Sequence, residues 1–298
     1  MKRILLMIGL AALVGCSKSD STDQQTALAE LKHLREENKK LRDELPTIEA
    51  AATNLSDKNF GFHSILGPRS SQLQLVLNSL FHMDSSPGLV SAADYRIFRD
   101  KYKRFYKRAV PIAVGDNYKS YRVVGTTHEF FEVGYSSGRK YDLAMGEMFV
   151  QNEKQWNKEA VIGATVAEKL GLNVNDKFNP YHGLNFRPGQ NPHKDEYSIT
   201  GIMKPTETPV DRVIWIPIEG LRQMDGHDEK YAGDVSAILI QMSDNSSARA
   251  FGVNSLDMIY NRGTDNMTFV KSIEQTLGGL DSRHRALNEA DEIIKRWP

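Results

Sequence analysis

The chain has 298 residues, 38 of them basic and 38 acidic, so no excess positive charge is available to draw nucleic acid. With 40% hydrophobic and 9% aromatic residues, the composition excludes a disordered chain and suits a globular body with polar additions. Cys16 is the only cysteine, which excludes an internal disulfide.

At the N-terminus, Lys2 and Arg3 precede an apolar run over residues 4–14, closed by Leu13-Val14-Gly15-Cys16. A charged start, an apolar stretch of about 7–15 residues and small residues at the cut describe a secretory signal. The run is too short for a bilayer, which takes roughly 20 apolar residues. The single cysteine stands where lipidation chemistry needs a thiol. The expectation is a bacterial lipoprotein: residues 1–15 are removed, and palmitate-type acyl chains on Cys16 hold the chain to a membrane. More than one acyl chain gives stable anchoring. Ser17, not Asp, follows the cysteine. In a Gram-negative cell that favours the outer membrane over the inner, with the chain facing the periplasm. No other window approaches 18 apolar residues.

Residues 16–25 carry a polar stretch that reads as a flexible tether. Residues 26–57 are expected to form a helical stalk. Leu31, Asn38 and Leu45 fall seven apart, and Ala27, Leu34 and Leu41 form an offset series. This heptad pattern over residues 26–45 supports a coiled coil, and hence self-association, with Asn38 as a register selector. A single amphipathic helix packed on its own domain fits the same pattern, and Pro46 interrupts it.

A body is expected over residues 58–263. Residues 71–82 and 92–108 show helical periodicity. Tyr95, Phe98, Tyr102, Phe105 and Tyr106 form an aromatic stripe at three- and four-residue spacing, which is the buried side of a helix. Strands are predicted over residues 109–114, 121–126, 197–203, 213–217 and 235–242, with a helix over 165–170 capped by Thr165 and closed by Gly171. Gly115-Asp116-Asn117 reads as turn chemistry between two apolar runs. Strands interrupted by helices in this mixed order give an α+β body with mixed, partly antiparallel sheets. Residues 264–298 are expected to be a helical segment.

The order strand, turn, strand over residues 109–126 is followed by strand, helix and loop over 160–178. Residues 197–220 then read as strand, Pro-rich loop and strand. Together these resemble the MacB-like periplasmic core domain of FtsX-type ABC transporter permeases, over about residues 62–262. The resemblance implies packed helices on that α+β core, a setting in an ABC export or envelope-remodelling system, and an ABC permease and ATPase, or another envelope protein, as partner. Permeases of that type begin with a transmembrane helix and return to the membrane after the core. Here the lipid signal and stalk stand in the first helix's position, and polar residues follow the core. Transport by this chain alone is therefore not expected. No G-x-x-x-x-G-K-[ST] is present for ATP binding by the P-loop route.

Candidate chemistry is sparse. His182, His193 and His227, with Asp195 and Asp228, lie in polar loops and are the weak metal candidates. None has H-E-x-x-H or Cys/His spacing, so neither a metal site nor any other cofactor is expected. Asp211 with Arg212 reads as a structural pair or as part of a binding surface. The irregular stretch 179–196 holds Tyr181, Phe186 and Arg187, types enriched at binding hot spots, and reads as a partner or ligand surface or as a plain insertion. No nucleophile stands beside a base, so an enzyme is not expected. The expectation is a non-catalytic lipoprotein accessory that binds a protein partner or a transported substrate. The alternative is a small-molecule or metal-binding lipoprotein that delivers its ligand to a transporter.

Overall fold

The computed structural model describes residues 61–83, 86–135, 139–150, 158–184, 186, 189–226, 229–231, 233–263 and 266–278. The expected signal, tether and stalk, together with Arg187, His227 and Asp228, lie outside them. The described strands are β1 (Ser64–Pro68), β2 (Arg108–Tyr118), β3 (Tyr121–Thr126), β4 (Leu143–Gly146), β5 (Glu159–Ile162), β6 (Lys177–Phe178), β7 (Tyr181–His182), β8 (Tyr197–Met203), β9 (Val213–Pro217), β10 (Ala237–Gln241) and β11 (Met267–Val270). The helices are α1 (Gln72–Ser79), α2 (Ala92–Lys101), α3 (Ala164–Leu170), α4 (Ile218–Arg222), α5 (Ser246–Tyr260) and α6 (Ile273–Gly278). No helix among the described residues is long and apolar enough to cross a membrane.

The strands run in the order β11-β1-β10-β2-β3-β9-β5-β8-β4, with β6 beside β8 and β7 beside β2. The β3–β9 and β5–β8 pairs are parallel, and the other pairs are antiparallel. This is the mixed α+β architecture expected. Strand β2 joins its two parts: Arg108–Ile112 pairs with β10, and Ala113 onward pairs with β3. Both flanks of the sheet are covered, so the central strands read as continuous apolar runs. Val213–Pro217 and Ser64–Pro68 are buried at every position.

Local chemistry sets the element ends. Ser71 and Ser91 cap α1 and α2 by accepting from the backbone N–H three residues on, at 3.1 Å in both helices. Asn245 caps α5 in the same way, accepting from Ala248 N at 3.0 Å. Gly171 closes α3 with φ 64°, as predicted for a C-terminal glycine. The cap at the start of α3 is Gly163, not Thr165. A Cβ at Gly163 would overlap the backbone carbonyl of Asp211, and Gly163 N–H donates to Val213 O at 2.9 Å. Close approach of two backbones, not side-chain capping, therefore decides where this helix starts.

Three further expectations are corrected. The helix predicted over residues 92–108 stops at Lys101, and a short 3-10 turn over Lys103–Phe105 leads into β2. The aromatic stripe faces the core nevertheless: Phe98 and Phe105 are buried, Tyr95, Tyr102 and Tyr106 are half-buried against them, and Phe98 stacks on Tyr106 at 5.1 Å. Gly115-Asp116-Asn117 is not a turn but strand, with a bulge between Val114 and Asp116. The chain reverses instead at Lys119 (φ 47°) and Ser120 (φ 72°), between the paired Tyr118 and Tyr121. Two positive φ values are what a two-residue hairpin loop requires to match strand twist. Within the segment expected to be helical after residue 263, Met267–Val270 is a strand that pairs with β1 and extends the body.

The core holds Trp215, Tyr197, Phe98, Phe149 and Phe269, all fully buried. Trp215 packs against Phe130 at 4.5 Å and edge-on to Phe131 at 5.7 Å. Such aromatic pairs add about 0.5–1.5 kcal/mol each beyond their buried area.

Candidate functional site

The polar residues that converge do so at the far end of β2. The bulge after Val114 sets Asp116 in register with Val123 of β3 on one side and His182 of β7 on the other. Asp116 is fully buried there. Strand β7 is pinned by Gly183 N–H donating to Gly115 O at 2.7 Å and by Asn117 Nδ2 donating to Gly183 O at 2.7 Å.

The chain then loops out and returns. Tyr181 bridges Pro192, and His193 N–H donates to Pro180 O at 2.8 Å. Asn179 Nδ2 ties the returning strand by donating to the carbonyls of His193 (3.2 Å) and Asp195 (3.1 Å). This closure lays the His193 ring against β2. His193 Nε2 lies 3.2 Å from Asp116 Oδ1, and His182 Nδ1 lies 3.6 Å from the same oxygen. The two rings stand 5.8 Å apart at 76°. Asp116, His182 and His193 each present one ligand atom, all within 4.8 Å of one another.

A further layer orients His193. Its Nδ1 sits 2.6 Å from the carbonyl oxygen of Asp225. Asp225 is held in turn: its N–H donates to Asp195 Oδ2 at 2.7 Å, and Asp195 Oδ1 pairs with Lys158 Nζ at 2.7 Å. The Asp116 hydrogen bond raises the His193 pKa above its ordinary value, against the lowering effect of burial. The group thus joins a buried carboxylate, one oriented and nearly buried imidazole, and a second imidazole whose side chain is 66% exposed.

The structure brings together two of the sequence-predicted histidines, His182 and His193. It places Asp195 behind them as a brace for Asp225. Tyr181 is half-buried on β7 and meets the exposed Phe186 edge-on at 5.0 Å, so these two form one aromatic patch on the loop. Asp211 does not join them. Its buried carboxylate accepts from Thr206 N and Oγ1 and from Glu207 N, at 2.7–3.0 Å, and Arg212 beside it is exposed. Sequence reading missed Asp116, taking it for a turn former. The available signal was the buried apolar run Ala109–Val114 that leads straight into it, and the bulge after Val114 hides its place from any period-two reading.

The model of one family, the MacB-like periplasmic core domain, matches residues 64–252, more than half of the chain. The chain is also similar to a solved domain described as belonging to a permease protein of Porphyromonas gingivalis. The identity there is 13%, with 72% of this chain and 91% of that one covered, and the TM-score is 0.35. No curated protein matches. The chain belongs to the family of MacB-like periplasmic core domains.

Proposed function

We propose that this chain is a lipid-anchored, non-catalytic accessory of an ABC-type export or envelope system. Its body faces the periplasm and binds a protein partner or a transported substrate. The observation that carries the reading is the family's core domain over residues 64–252. Support for the anchor comes from Lys2, Arg3, the apolar run 4–14 and Cys16, with Ser17 pointing to the outer membrane. In this reading residues 26–57 are the stalk, and residues 26–45 bring two copies together.

The binding surface in this reading is the aromatic patch of Tyr181 and Phe186, with Arg187 next in the chain and Arg212 as a second exposed contact. Tyrosine and arginine are enriched among the side chains that dominate binding energy at interfaces, and an exposed aromatic beside them suits a docking face. The test places a photo-crosslinking amino acid at position 186 of the full chain in its native cells and identifies the products by mass spectrometry. The expected products contain an ABC permease or another envelope protein. Recovery of none of these overturns the reading.

A further inference from the structure

We propose that Asp116, His182 and His193 form a site for one divalent transition-metal ion of the zinc class, which holds strand β7 and the segment before β8 against strand β2.

Ligand–ligand spans come first. Zinc binds imidazole nitrogen at about 2.0–2.1 Å and carboxylate oxygen at about 2.0–2.2 Å, so two tetrahedral ligands stand roughly 3.3 Å apart. The two spans to Asp116 Oδ1, 3.2 Å from His193 and 3.6 Å from His182, bracket that value. All three atoms already lie within 4.8 Å of one another, and the remaining closure falls to His182, whose side chain is 66% exposed.

Proton placement points the same way. A backbone carbonyl only accepts, so the 2.6 Å contact to Asp225 O fixes the proton of a neutral His193 on Nδ1. That leaves the Nε2 lone pair facing a carboxylate oxygen at 3.2 Å. Either the proton that His193 otherwise shares with Asp116 or a metal ion in its place must lie between the two atoms. A proton serves His193 alone, whereas an ion serves both imidazoles that converge on one oxygen. An imidazole that gives its other N–H to a backbone carbonyl is the usual outer arrangement of a metal-bound histidine. Here Lys158, Asp195 and Asp225 extend that support by two more links.

The donor set selects the ion. Two imidazoles and one carboxylate suit zinc, copper, nickel or iron, whereas calcium and magnesium call for oxygen ligands. A dipositive ion also offsets the cost of holding the Asp116 charge fully buried. The ligands come from β2, β7 and the segment before β8, so the bound ion ties three separate segments together.

The test uses the full chain, extracted in detergent, stripped with a chelator and titrated with Co²⁺ under visible absorption, then with Zn²⁺. One equivalent of Co²⁺ with the ligand-field bands of nitrogen and oxygen coordination, displaced by Zn²⁺, is expected. His182→Ala, His193→Ala and Asp116→Asn should each weaken Zn²⁺ binding at least tenfold. Zn²⁺ should raise the melting temperature of the wild type and not that of His182→Ala. The exposed His182 makes that variant informative even if Asp116→Asn fails to fold. Absence of the Co²⁺ bands, or equal Zn²⁺ affinity in His182→Ala and wild type, overturns the proposal. Either result is independent of the crosslinking outcome at position 186.

Discussion

The hydroxyl of Thr206 donates to Asp211 Oδ1 at 2.7 Å, and the Thr206 backbone N–H donates to both carboxylate oxygens of the same residue, at 2.9 and 3.0 Å. With Glu207 N–H at 2.8 Å, the buried carboxylate organises the whole turn before β9. Removing it takes this acceptor from the buried N–H and hydroxyl of Thr206, and hydrogen bonds to a charged group contribute about 1.5–3 kcal/mol each. Asp211→Ala should therefore cost about 3 kcal/mol or more in urea unfolding, and Asp211→Asn less, because the amide oxygen retains some of the bonds.

Gly163 offers a test of backbone packing free of conformational strain, since its φ of −66° is open to any residue. A methyl group there meets the Asp211 carbonyl. Gly163→Ala should lower stability by about 1–3 kcal/mol, the range for overpacking a filled site. Thr165→Ala, at the position where sequence alone places the cap, should change it by no more than about 0.5 kcal/mol.

The β2–β3 hairpin turns through two non-glycine residues at positive φ, Lys119 and Ser120. Asn-Gly is the preferred pair for such a loop. The double substitution Lys119→Asn with Ser120→Gly should stabilise the protein by about 1 kcal/mol, read as a rise in urea midpoint.

His82 packs edge-on to Trp215 with ring centroids 5.4 Å apart, and its Nδ1 is buried with no hydrogen-bond partner among the described residues. Burial, with Arg122 nearby, drives its pKa down from 6.5 to about 3. Between those values the unfolded chain takes up a proton that the folded chain refuses. Stability therefore rises with pH across that window and is lost on acidification from 6.5 towards 3, by at most about 1.4 kcal/mol per pH unit. His82→Gln should lose less stability than the wild type between pH 6.5 and 4.5. Equal losses would show that other groups govern the acid response.

Cys16→Ser should move the protein from the membrane pellet to the soluble fraction and abolish incorporation of labelled palmitate. Acylation that persists in this variant would remove the anchor from the proposed function.

The sequence made the central strands readable because their chemistry is self-contained. Tyr121–Thr126, Tyr197–Met203 and Val213–Pro217 are rich in β-branched and aromatic residues, and they match the predicted spans. Elements defined by a distant partner were not readable. Strands β6 and β7 have two residues each, too few for any periodicity. Strand β11 depends on β1, far away in sequence. Asp116 was misread because Gly115 and Asn117 give it the neighbours of a turn, whereas the ladder with β3 keeps the chain extended. The candidate site suffered most: His182 and His193 were noticed, but their shared partner lies in a strand that ends long before them.

Strand β1 lies between β10 and β11, so both of its neighbours belong to the last part of the body. This strand, the first among the described residues to leave the ribosome, must wait for both sheet neighbours until residues beyond 237 have been made. Joining such distant stretches slows folding, because the loop must close before any contact rewards it. The sheet thus stays incomplete until late in synthesis, which in the exported reading proposed above suits a polypeptide threaded through a narrow channel before it takes shape.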